Sequence, residues 1–283
     1  MLYTEQQPQT ALGNHLECIW FVSGDDELPS LIAPEKVLPD GCIEWIFHLA
    51  QPFQRELPNG QWEVQPRSFI VGAMTRFLVL QPTGRVKTMG VRFRPGGAYR
   101  FLPVSVSDLT DDVVPTSDVW GREGRLLEDA IFSAHSDGER KRLVEDFLVR
   151  RLPVVGPRLR LEAAIAEVLR SHGHIRVDRL ATKMNLSQRH LEREFRSGAG
   201  LSPKTFGRII RFQNLLRLVG EDTLREWANL ALAGGYADQP HMVREFREFT
   251  GQTPTEKQLI ALGDLARNFV SPQRLAILLG GQR

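Results

Sequence analysis

The strongest constraint on this chain is a segment that occurs twice. Gln188-Arg189-His190-Leu191-Glu192-Arg193-Glu194-Phe195-Arg196 returns 51 residues later as Gln239-Pro240-His241-Met242-Val243-Arg244-Glu245-Phe246-Arg247. Gly200 and Pro203 return at the same offset as Gly251 and Pro254, whereas Ala181 and Leu186 return at 50 as Ala231 and Tyr236. The second copy therefore carries one extra residue in its turn. Two copies of one small unit lie side by side, and such self-similarity decides the architecture before any single motif does.

Each copy reads as helix, tight turn, helix. In the first, Val177, Leu180, Ala181 and Met184 fall at i, i+3, i+4, i+7 and form one apolar face. Asn185-Leu186 carries the turn, and Ser187 is suited to accept a first-turn amide hydrogen of the next helix. That helix buries Leu191 and Phe195 and ends at Gly198/Gly200. In the second copy Trp227, Leu230 and Ala231 form the supporting helix and Gly234-Gly235 the turn. Asp238 caps, and Met242, Phe246 and Phe249 face inward. Pro240 falls in the first turn, where a missing N–H costs nothing. Between the copies, Ser202-Pro203 starts a helix that reaches about residue 219, apolar at Phe206, Ile209, Ile210 and Leu216. One rigid helix then fixes the separation of the units. Second helices that enter adjacent major-groove segments from one side of a duplex must stand roughly 34 Å apart. A plain helical bundle explains the apolar positions, but not short capped helices with repeated polar first turns.

Charge is divided along the chain. The net charge is +2 over 283 residues, yet residues 1–157 hold 16 Lys and Arg against 21 Asp and Glu, and residues 158–260 hold 17 against 12. A basic module joined to an acidic one points to a polyanion partner for the basic one alone. There is no apolar run of about 18 residues and no signal-like start, so a cytoplasmic address without membrane attachment is expected. Cys18 and Cys42 have neither disulfide-framework nor metal spacing and read as small buried hydrophobes.

At the repeat, the chain resembles the AraC/XylS family of transcription regulators. The pattern of Ala181, Leu186-Ser187, Arg189, Leu191, Arg193, Phe195, Gly200 and Ser202-Pro203 is similar to the first half of that family's DNA-binding domain. Ala231, Gly235-Tyr236, Asp238-Gln239, His241, Arg244, Phe246, Gly251 and Thr253-Pro254 are similar to the second. Leu215 departs from it, standing where the family often has Ala. The resemblance covers about residues 158–260. It implies that Arg189, Glu192 and Arg193 reach base edges in one groove and Gln239, His241 and Arg244 in the next. Arg suits guanine O6/N7, Gln suits adenine N6/N7 and Glu suits cytosine N4. Each of these is otherwise a phosphate contact that positions without specifying. Arg196, Lys204, Arg208, Arg211 and Arg247 are assigned to phosphates or solvent.

The fold class expected is α+β. Residues 1–152 form an antiparallel β-barrel or sandwich, cupin-like by the same resemblance, with helices at 122–134 and 139–151. A linker follows at 153–157, then the all-α domain at 158–260 and an unassigned tail at 261–283. Strands are expected at 16–22, 41–49, 69–72, 77–81 and 85–93, where short β-branched or aromatic runs alternate with turn residues. Leu126, Leu127, Ala130, Ile131 and Ala134 mark the inward face of the first helix. The runs 38–49 and 90–98 look like an uncharacterised domain carried by a subset of these regulators. Within it Glu44, His48, Arg92 and Arg94 alternate with apolar neighbours, so each pair shares a strand face. Facing inward, the arginines could hold a carboxylate or phosphate effector. Facing water they are surface residues, the simpler reading. Trp20, Trp45, Phe47 and Trp62 read as core. The partner that follows is double-stranded DNA, with RNA polymerase, a small-molecule effector and a second copy of the chain as further candidates. No HxH-type metal site, GxSxG, CxxC or phosphate-cradling loop occurs, so neither cofactor nor enzymatic activity is expected.

Overall fold

A computed structural model describes residues 2–24, 34–152, 158–221 and 227–254. The linker at 153–157 and the tail beyond 254 lie outside the described residues. In the first part, strands β1 (Leu2–Gln6), β2 (Leu16–Ser23), β3 (Glu35–Val37), β4 (Ile43–His48), β5 (Phe53–Glu56), β6 (Trp62–Val64), β7 (Ser68–Val71), β8 (Leu78–Pro82), β9 (Lys87–Phe93) and β10 (Val113–Pro115) form two sheets. The larger runs β1-β2-β9-β4-β7-β10 and the smaller β3-β8-β5-β6, antiparallel at every pairing. They form an open sandwich, not a closed barrel. The five strands expected from sequence are all present. The additional β1, β3, β5, β6 and β10 are mostly short or exposed strands, in which no apolar run announces them.

The central sheet is buried on both faces, and the pleat divides its side chains. Trp45 and Phe47 of β4, Met89, Val91 and Phe93 of β9, and Ile19 and Phe21 of β2 face one way and join the main core. Helices α1 (Thr116–Ser133) and α2 (Asp137–Val149) cover that face, with Trp45 at 4.4 Å from the Trp120 ring and 5.5 Å from that of Phe147. Helix α1 breaks at Gly121 (φ 59°, ψ −130°), so its second piece is the helix expected from 122. Leu126, assigned to its inward face, is 58% exposed, and Trp62, assigned to the core, is 39% exposed on the short β6. The alternate residues, Cys18, Trp20, Val22, Ile46 and Phe69, form a second cluster between the sheets with Phe53 and Val86.

The second part is helical: α3 (Leu159–Arg170), α4 (Val177–Lys183), α5 (Gln188–Ala199), α6 (Pro203–Glu221), α7 (Trp227–Ala233) and α8 (Gln239–Thr250). The caps fall where the sequence placed them. Ser187 Oγ accepts from His190 N at 3.2 Å, Ser202 Oγ from Thr205 N at 3.0 Å, and Asp238 Oδ1 from His241 N at 2.7 Å. Gly200 and Gly251 close α5 and α8 in the left-handed conformation. The extra residue of the second copy lies in its turn, 234–238 against 184–187.

The two parts share one continuous core. Gln213 Nε2 of α6 donates to Pro39 O at 2.5 Å, Lys36 Nζ to Thr250 O at 2.8 Å, and Thr110 Oγ1 to Gly200 O at 2.6 Å. The strand-like segment before β4 presses on α6, where a Cβ at Gly41 would stand 2.8 Å from the Phe206 ring at φ +80°. Only glycine fits there. The front part thus grips α6 and the C-terminal ends of α5 and α8, leaving the first turns of α5 and α8 outward.

Candidate functional site

On α5, Leu191 and Phe195 are fully buried, which turns Gln188, Arg189, Glu192, Arg193 and Arg196 outward. On α8, Met242, Phe246 and Phe249 are buried, which turns Gln239, Pro240, Arg244 and Arg247 outward, with His241 half-buried against Tyr236 at 5.4 Å. The six positions assigned to base edges therefore lie on the outward stripes of two equivalent helices. Arg189, Arg193, Arg196, Arg244 and Arg247 make no ion pair among the described residues. A free guanidinium at a helix surface is a donor fork available to an acceptor from outside. Lys204, in the first turn of α6, is likewise exposed.

Two of the assigned phosphate contacts are committed elsewhere. Arg208 donates from Nε to Glu245 Oε2 at 2.8 Å and from Nη1 to Glu248 Oε1 at 3.0 Å. Arg211 donates from Nη2 to both Glu245 oxygens, at 3.0 and 2.7 Å. Glu245 is 3% exposed. These arginines clamp α8 to α6. The clamp went unread although it left a signal. Glu245 sits inside the apolar stripe of Met242, Phe246 and Phe249, where a lone carboxylate must find cations. Its counterpart Glu194 makes only a 3.6 Å contact with His190.

In the front part, Glu44, His48 and Arg92 face the space between the sheets, not water. Arg94 does not join them. Its Nε donates to Gly13 O and Leu16 O, which holds the chain ahead of β2. Arg92, 1% exposed, is surrounded. Its Nη2 and Nε lie 2.6 Å from Glu44 Oε1 and its Nη1 2.9 Å from Asp40 Oδ2. Trp20 Nε1 donates to the second Glu44 oxygen at 3.0 Å, and Cys42 N to the second Asp40 oxygen at 2.9 Å. Gly90 makes this possible, since a Cβ there would stand 2.0 Å from the Trp20 indole. Burial pushes the Glu44 carboxyl up while Arg92 pulls it down. Burial opposes the Arg92 charge, and Glu44 and Asp40 more than restore it. Nearby Glu17, 4% exposed and with Oε2 unpartnered, is pushed by burial to about 7 against the pull of Arg92.

His48 is neutral. Burial lowers its pKa to about 4, against the opposing effect of the hydrogen bond that its ring makes to the Gln65 amide oxygen. Its Nε2 lies 3.2 Å from Gln65 Oε1 and its Nδ1 3.4 Å from Thr88 Oγ1. Cys18 and Cys42 are buried, and burial raises both thiols above the ordinary value, the opposite of what a reactive thiolate needs. Among the described residues no group of three or more His, Cys, Asp or Glu is placed to hold a metal, and no helix is long and apolar enough to cross a membrane.

Residues 180–258 match the family model of a helix-turn-helix domain, and residues 4–115 match that of a domain of unknown function, DUF6597. The chain carries an AraC-type helix-turn-helix domain. No curated protein matches the chain. Among solved structures it is similar to ToxT from Vibrio cholerae, at 11% identity with 85% of this chain and 98% of that chain covered and a TM-score of 0.47. It is also similar to ToxT bound to (E)-4-(8-methylnaphthalen-1-yl)but-3-enoic acid, at 10% identity, 86% and 99% coverage and a TM-score of 0.48. Unsaturated-fatty-acid-bound ToxT gives 10%, 85% and 95%, and 0.44. The AraC-type domain here comprises α4 to α8, with α6 joining its two halves.

Proposed function

We propose that this protein is a sequence-specific, double-stranded-DNA-binding regulator of transcription that inserts α5 and α8 into adjacent major-groove segments. One observation carries the reading. At repeat-equivalent positions the two helices present outward arginines, Arg193 with Arg196 and Arg244 with Arg247, that no carboxylate among the described residues neutralises. Arg189, Glu192, Gln239 and His241 stand beside them on the first turns and complete the two base-reading sets. Arg196, Arg247 and Lys204 hold phosphates. The front domain is the regulatory half, taking a small molecule in the space between its sheets.

A mobility-shift assay on promoter DNA upstream of its own operon tests this. Arg193→Ala and Arg244→Ala should each relax base preference in a different half of the site, at about 1–3 kcal/mol apiece. Arg196→Ala should weaken all sequences alike and lower the salt dependence by about one counterion. Equal losses on every sequence from Arg193→Ala and Arg244→Ala would reassign both to phosphates. Absence of DNA affinity at low salt would end the reading.

A further inference from the structure

The space between the sheets has a definite chemical character. It measures about 70 Å³, and its walls are the rings of Trp20, Phe53 and Phe69 with Val22, Ile46 and Leu80. Four ionisable groups could have given it a charge, and each is spent. Arg92 has its guanidinium nitrogens on Glu44 and Asp40, and all four oxygens of those carboxylates are engaged by Arg92, Trp20 or the Cys42 amide. His48 is uncharged, with both ring nitrogens facing Gln65 and Thr88.

The geometry points to a binding site for a compact, uncharged, apolar ligand, one that discriminates against carboxylates and amines. This rests on the reading of the front domain as regulatory and names the ligand class for it. A carboxylate entering the cavity would be the third anion around a single guanidinium already neutralised, and it would lose its hydration for no new partner. A cation would have to displace Arg92 from Asp40 and Glu44. Either exchange leaves a buried charge unpaired, which costs more than the apolar contacts return. An uncharged apolar molecule meets mostly hydrocarbon and ring faces and asks nothing of the paired polar groups, and an apolar cavity accepts such guests readily.

The cavity also has a route for growth and a route outward. A neighbouring hollow of about 280 Å³ shares the side chains of Val71, Met74 and Leu78 with it. Met74 is the most adaptable of these walls, and its movement joins the two spaces. The wall also includes Val37, Asp40 and Cys42. These bracket Pro39 and Gly41, the residues that touch Gln213 and Phe206 of α6. A guest that spreads the sheets therefore pushes on the segment that holds the helix joining the two DNA-reading halves.

The test uses the full chain with labelled Ile and Val methyls, titrated with benzene, benzoate and benzylamine, three probes sharing one ring and differing in charge. Benzene should shift the Ile46 and Val22 methyl resonances by its ring current and raise the thermal midpoint. Benzoate and benzylamine at the same concentration should do neither. Leu80→Phe, which fills the cavity, should lose the benzene-induced shifts while keeping its dispersed methyl spectrum. Benzoate shifting the same methyls would restore Arg92 as an anion site and overturn the proposal, and benzylamine doing so would overturn it in favour of a cation site. No response to any probe, or a benzene response that survives Leu80→Phe, would also overturn it. None of these readouts involves DNA, so the protein could fail here and still bind its promoter, or the reverse.

Discussion

Two buried charge knots of opposite composition hold this protein together, one in each part. Between the sheets a single cation, Arg92, is enclosed by Asp40 and Glu44, with Glu17 close by. Between α6 and α8 a single anion, Glu245, is enclosed by Arg208 and Arg211. The acidic front half and the basic back half thus carry their bias into the interior. The comparison teaches how to read an arginine. One with a carboxylate partner is a fastener, however suggestive its place in the sequence. One without, such as Arg193 or Arg244, is available to a ligand.

The knots also differ in access to water, and that ranks their fragility. Arg92→Met strands two carboxylates whose side chains keep only 10% and 12% exposure. A loss of about 5 kcal/mol is expected, the upper end for breaking a buried pair. Urea unfolding of the full chain measures it. Adding Asp40→Asn and Glu44→Gln to Arg92→Met should recover most of it, and no recovery would mean that packing rather than charge is lost. Glu245→Ala strands Arg211 but leaves Arg208 its pair with Glu248, and the two retain 16% and 27% side-chain exposure and can turn outward. A smaller loss of about 3 kcal/mol is expected. It should fall on the second unit, so that base preference weakens in the Arg244 half of the DNA site and persists in the Arg193 half. Equal weakening of both halves would show that α6, not α8, is what the clamp supports.

The repeat made the back half legible because each copy checks the other. Caps, turns, the extra residue and the buried stripes were all in the sequence, since local helix chemistry and 3.6-residue spacing are short-range. Glu245 was missed because its partners lie 34 and 37 residues away on another helix. The front half was less legible for the same reason. Alternation put Glu44 with His48 on one face of β4 and Arg92 with Arg94 on one face of the β9 run, but which face meets water depends on a second sheet built from short strands such as β3 and β6. The pairings that satisfy that face cross between segments: Asp40 meets Arg92, while Thr88 and Gln65 meet His48 from 40 and 17 residues away. Arg94 shares the alternation of Arg92 and still leaves the cavity, because β9 ends at Phe93.

Protonation sharpens the contrast, for only the front knot has a spare carboxyl. Glu17, at about 7 in the fold against 4.5 ordinarily, keeps a proton between those values that the unfolded chain has released. Rising pH therefore costs about 1 kcal/mol of stability per unit across that window, and the cost is constant above it. His48, lowered to about 4 from 6.5, gives the opposite slope between those values, since there the unfolded chain holds the extra proton. Glu17→Gln removes the first slope and leaves the second. The stability difference between Glu17→Gln and the parent should widen from pH 4.5 to 7 and then stay level. A flat difference would mean that Glu17 is ionised in the fold and that the front knot holds a third counter-charge.

The smallest effects lie where the two units are alike and no knot intervenes. Ser187 caps α5 and Asp238 caps α8, each accepting from the amide three residues on. Ser187→Ala and Asp238→Ala each orphan one first-turn donor, at about 1 kcal/mol. Asp238→Ala should cost a few tenths more, because its carboxylate also faces the positive end of the helix dipole. The same first turns carry Arg189 and Gln239, so each variant should lower DNA affinity through its own half of the site, by fraying rather than by a lost contact. Near-equal stability losses would locate the difference between the units in the Glu245 clamp. A loss from Ser187→Ala well above that from Asp238→Ala would locate it at the front domain's contact with α5, where Thr110 holds the Gly200 carbonyl.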